Sequence, residues 1–137
     1  MWLSFIENPV IFKSIYGQQI PELRNVFFHE IKISMGEEIS SYLKFDINVL
    51  PQKVPEKWVS KKVNKVQLDF MLISSEIEHL NMSGMDLIGD LKIELIDKNK
   101  KVSFTVNGRN VFVIKTKWIY VRSVTGYYSA GPFELNE

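Results

Sequence analysis

The sequence predicts a mostly β fold of the α+β class. We expect a curved antiparallel sheet, or barrel-like roll, of about eight strands with a short N-terminal helix packed on it. Three observations carry this expectation. Apolar and polar residues alternate in several short runs. In the clearest, Ile39, Ser41, Leu43, Phe45, Ile47 and Val49 alternate with Ser40, Tyr42, Lys44, Asp46 and Asn48. The links between runs are short, which makes sequential antiparallel pairing the default. Only one stretch, near the N-terminus, places apolar residues at helical spacing.

That stretch is bracketed by Asn8-Pro9 and Gly17. Asn8 can cap the free N–H groups, Pro9 suits the first helical position, and Gly17 suits the left-handed residue after the end. Phe12, Ile15 and Tyr16 share one face, and Trp2, Phe5 and Ile6 precede them. A helix this short is not stable alone, so it must lie on the sheet.

After Pro21 the period becomes two. Phe27, His29, Ile31 and Ile33 fall on one face, and Phe28, Glu30 and Lys32 on the other. A turn at Met35-Gly36-Glu37-Glu38 joins this strand to the clear one in a hairpin, and the second strand should have one buried and one wet face. Proline has no N–H for a ladder, so Pro51 and Pro55 end that strand and stiffen an irregular connection. Trp58 on this connection should fold back over an open end of the sheet.

Val63 to Ile73 reads as the third strand, Ser74-Ser75 as a break, and Glu76 to Met82 as the fourth. Ile77 is out of step with Leu80 and Met82, which suggests a bulge. A loop follows over Asn81 to Gly89. Leu91, Ile93 and Leu95 mark the fifth strand, Asp97 to Lys100 a turn, and Val102, Phe104 and Val106 the sixth. Asn107-Gly108 is a tight hairpin signal because both residues tolerate positive φ. Asn110 to Thr116 and Trp118 to Thr125 are the last strands, leading into Tyr127, Tyr128 and a Gly131-Pro132 tail.

At 137 residues the chain reads as a single domain over 1–137. It has no cysteine, so a disulfide framework, a thiolate zinc site and a cysteine nucleophile are all excluded. A net charge of +1 gives no global field to attract nucleic acid. No segment approaches the roughly 20 apolar residues that span a bilayer. The start, MWLSFIENP, lacks the basic region of a secretory signal, so a cytoplasmic location is expected.

No phosphate loop, dinucleotide fingerprint or serine elbow is present. His29 and His79 fall on separate strands, and His29 and Glu30 point to opposite faces. Asp86 and Asp90 flank a loop without a spacing that selects them. The expectation is a protein that is not an enzyme and has no catalytic residues, metal or cofactor. Lys53, Lys57, Lys61, Lys62 and Lys65 crowd the central connection against Glu56 alone, while Asp86, Asp90, Glu94 and Asp97 form an acidic stretch. Exposed Trp and Tyr are the usual anchors of protein interfaces. Trp58, Trp118, Tyr120, Tyr127 and Tyr128 fall on loops and strand ends, as core, lid or anchor. The candidate partner-binding residues are therefore Lys57, Trp58, Lys61, Lys62, Tyr127 and Tyr128.

Several short motifs also line up in order: Trp2, Asn8-Pro9, Ile15-Tyr16-Gly17, Pro21-Glu22-Leu23, His29-Glu30-Ile31, Pro55-Glu56-Lys57-Trp58, Asn64-Lys65-Val66-Gln67-Leu68 and Val124-Thr125-Gly126-Tyr127. Together they resemble the immunity protein 50 family of bacterial polymorphic toxin systems, over almost the full chain. Two positions depart from the family pattern. Met85 follows Gly84 where the family has Trp, and Glu56 stands where it often has a second Pro. The resemblance implies a protein that binds a cognate toxin domain and blocks it sterically. A small-molecule carrier is the alternative from another class, and it would need a cavity inside the roll. A scaffold subunit would need an uncovered sheet edge that builds an oligomer.

Overall fold

In the computed structural model, described for residues 1–82 and 87–130, the sheet closes into a barrel. Its strands are β1 (Val26–Met35), β2 (Ile39–Ile47), β3 (Lys65–Leu80), β4 (Ile88–Ile96), β5 (Asn99–Val106) and β6 (Arg109–Tyr127). They follow the order β1-β2-β3-β6-β5-β4, and all neighbours pair antiparallel. Ser83, Gly84, Met85, Asp86 and the Gly131-Pro132 tail lie outside the described residues.

The mostly β class holds, but the described strands number six because two expected breaks are bends. β3 runs straight through Ser74-Ser75, with Ser74 at a φ of 56°. β6 likewise joins the two expected last strands. The reason is their mutual ladder, which runs from Lys65↔Tyr127 to Leu80↔Phe112 and carries both chains across the bend. The bulge expected near Ile77 is present as a register shift between Ile77 and His79. β2 pairs with only the first half of β3, and β5 with only the first half of β6. The long β3–β6 ribbon thus belongs to two smaller sheets and wraps them round one core.

Strand alternation fills that core as expected, with Leu43 and Phe45 of β2 and Leu68, Phe70 and Leu72 of β3 fully buried. Phe28, Phe104 and Phe112 meet at centroid distances of 5.2–5.7 Å, and Phe45 meets Phe70 edge-on at 5.0 Å. β1 departs from the expected faces. Val26 and Phe28 point inward, then a register shift between Phe28 and Glu30 leaves His29 as an extra residue. A one-residue slip exchanges the faces, which is how Ile31 also reaches the inside. Leu95 shares its apolar repeat with buried Leu91 and Ile93, yet it is 61% exposed near the end of β4.

The expected helix is α1 (Val10–Tyr16), ending at Gly17 with a φ of 63°. Phe12 stacks on Tyr16 at 4.4 Å, and Trp2 meets Phe12 at 5.1 Å. Asn8 does not cap the helix. Its amide donates to the Val121 carbonyl and its oxygen accepts the Val121 N–H, both at 2.8 Å. The Glu7 N–H donates to the Ile119 carbonyl at 2.8 Å. These bonds satisfy the side of β6 that β5 has left, where unpaired backbone groups would otherwise be costly. The Asn107-Gly108 hairpin has the two positive φ values expected, 52° and 78°.

Candidate partner-binding face

The connection between β2 and β3 is more ordered than two prolines suggest. It contains a one-turn helix, α2 (Glu56–Ser60), started by the Pro55 carbonyl, which accepts the N–H groups of Trp58 and Val59. The Val63 N–H returns to the Trp58 carbonyl at 3.0 Å. The Trp58 ring packs against Gly126 of β6, where a Cβ would stand 2.6 Å from two ring carbons. Only glycine lets the indole approach so closely. Trp58 therefore covers the barrel end between β3 and β6, as the sequence predicts.

The end of β6 is tied to the same corner. The Asn64 N–H donates to the Tyr127 carbonyl at 3.1 Å, and the Asn64 amide exchanges two bonds with the backbone of Ser129 at 2.7 and 2.8 Å. The structure thus gathers all six candidates, Lys57, Trp58, Lys61, Lys62, Tyr127 and Tyr128, at one end of the barrel. Lys57, Lys61, Lys62 and Tyr128 are exposed, whereas Trp58 and Tyr127 are half-buried. Of the remaining lysines in the basic run, Lys53 is exposed and the Lys65 ammonium donates to Asn48.

A groove opens beside α2. One wall is Ser14 and Ile15 of α1, and the other is Lys53 to Glu56 with Val59 and Ser60. It continues past Tyr16 to Gln19 and Gln52. The Tyr16 hydroxyl donates to the Val49 carbonyl at 2.5 Å and ties α1 to the start of the connection after β2. Burial pushes that phenol's pKa well above its ordinary value.

At the end of β6 lies a cluster that sequence reasoning missed. Asp46 sits on the outer face of β2, which alternation marks as wet, yet it is only 3% exposed. His29 Nε2 lies 2.7 Å from its Oδ2, and the Tyr127 hydroxyl donates to the same oxygen. Oδ1 is buried without a hydrogen-bond partner among the described residues. The Phe27 ring stands 4.9 Å from the imidazole of His29. Burial raises the Tyr127 pKa, and the bond to Asp46 and its negative charge raise it further. The phenol keeps its proton and clamps β6 to β1 and β2 across β3. The missing signal was the bulge at His29, which a run of alternating residues does not reveal.

Other chemistry is dispersed. His79 Nε2 lies 3.1 Å from the Asn110 carbonyl. No three His, Cys, Asp or Glu side chains among the described residues come together as metal ligands. No helix among them is long and apolar enough to cross a membrane.

Fold and face together define a small antiparallel β-barrel domain with one basic, aromatic-bearing end. Its residues 8–127 match the family model described as Immunity protein 50, and the chain belongs to that family. No curated protein and no solved structure matches it. The motifs behind the resemblance also meet in space. Trp58 rests on Gly126, Asn64 holds Tyr127, Tyr127 shares Asp46 with His29, and the Trp2 indole N–H donates to the Pro21 carbonyl at 2.8 Å.

Proposed function

We propose that this protein is a cytoplasmic, non-enzymatic immunity protein that binds a cognate bacterial toxin domain and neutralises it by stoichiometric steric inhibition. The observation that carries the reading is the family match over residues 8–127. The geometry is compatible with it in two ways. Exposed Lys57, Lys61, Lys62 and Tyr128 offer steering charge and an aromatic anchor. Trp58, Asn64 and Tyr127 hold that end in place, so little conformational entropy is lost on docking.

The test is co-expression with the C-terminal domain of the polypeptide encoded immediately upstream, followed by size exclusion. The reading predicts restored growth and a one-to-one complex. A neighbour that is folded and toxic alone, yet neither bound nor neutralised, would overturn it.

A further inference from the structure

The groove between α1 and residues 52–60 is built like a socket, and folding gives no reason for its exposed apolar wall. Val59 is 64% exposed although its neighbour Trp58 packs on the barrel. Ile15 faces it from α1, with Val54 and Pro55 in the same lining. Lys53 and one carboxylate, Glu56, also line the groove. Lys57 within α2 and Lys61 just after it are exposed and add positive charge to this end of the barrel.

We propose that this groove is the docking socket for the toxin and that it takes an acidic segment carrying an apolar anchor side chain. The proposal rests on the immunity reading and names the chemistry of its partner. The apolar wall calls for a buried side chain, because removing Ile15 and Val59 from water is favourable only against another apolar group. The lysines call for negative charge on the same segment, since like charges facing one another would oppose docking. A bare phosphate chain would satisfy the lysines and leave the valine and isoleucine uncovered, so the occupant is a polypeptide. Both walls are fixed before binding, α1 through the Tyr16–Val49 hydrogen bond and α2 through Trp58 on Gly126. A preformed apolar groove with a charged rim is a recurrent way of seating a peptide segment.

The test measures the Kd of the upstream-encoded toxin domain for the wild-type chain and three variants by titration calorimetry. Val59→Asp puts a charge into the apolar wall, and Lys53→Glu reverses the lining charge. Lys98→Glu, on the turn between β4 and β5, is the control. All three positions are exposed, and matching melting temperatures will show that the variants fold. The proposal predicts that Val59→Asp weakens binding by about tenfold or more and Lys53→Glu by about fivefold, while Lys98→Glu changes it less than about twofold. Wild-type binding with both groove variants unchanged overturns the socket and leaves the immunity reading standing. No binding by the wild-type chain overturns the immunity reading and the socket with it. A free chain that elutes as a dimer, which Val59→Asp dissolves, assigns the groove to a second copy and also overturns the proposal.

Discussion

The inside of the barrel and its α2 end are stabilised in different ways. Inside, phenylalanine rings meet in two groups, one from β1, β5 and β6 and one from β2 and β3, and stability comes from apolar area spread over many contacts. At the α2 end a few contacts bear the load: one indole on one glycine, one asparagine on a strand end, and one carboxylate shared by a histidine and a tyrosine. The first arrangement tolerates small shifts anywhere along it. The second fixes a surface in one shape and fails when a single partner is lost.

Breaking the interior should have the largest effect. Phe104→Ala removes a fully buried ring and should cost about 4 kcal/mol, read by urea unfolding. Trp58→Ala should cost about 3 kcal/mol. It should also speed amide exchange over 56–63 while leaving β4 and β5 unchanged, which would show that the end loosens separately. Gly126→Ala drives a methyl into the Trp58 ring and should cost about 2 kcal/mol in the same unfolding assay.

Tyr127→Phe removes one hydrogen bond to a buried carboxylate and should cost about 1.5 kcal/mol near neutral pH. Its pH signature is distinctive. Above the ordinary tyrosine value of 10.0 the unfolded chain gives up a phenol proton that the folded chain keeps. The unfolded state then binds fewer protons, so stability falls as pH rises through that range. Tyr127→Phe should make the fall shallower in urea titrations above pH 10.0. The smallest effect on stability belongs to the triple change of Lys57, Lys61 and Lys62 to Glu, which should leave the melting temperature nearly unchanged. It should slow association with the toxin domain and weaken the salt dependence of the on-rate in stopped-flow measurements.

The same contrast explains what the sequence made legible. Alternation in β2 and β3 identified Leu43, Phe45, Leu68 and Phe70 as core because a buried sheet face repeats every second residue. Gly17 and Asn107-Gly108 marked their turns through positive φ. Trp58 was legible as a lid because an apolar ring on a polar connection needs somewhere to pack. Asp46 was not, because its burial depends on a bulge in β1 and on the end of β6, 81 residues away in sequence. Asn8 looked like a helix cap because a local pattern cannot show that its amide pairs with Val121. The α1–α2 groove was hidden for the same reason, since one wall comes from α1 and the other from the connection after β2, which only the fold brings together. The six candidate residues could be found as charge and aromatic content, but only the fold puts them at one end.

The most direct test of the central claim, that the α2 end and its groove form the contact face, is hydrogen–deuterium exchange of the chain alone and bound to the toxin domain. The account predicts new protection over 13–19, 52–64 and 127–129, with exchange at the β1–β2 turn unchanged. Protection confined to the β1–β2 turn or to β4 and β5, with 52–64 exchanging as in the free chain, would contradict it.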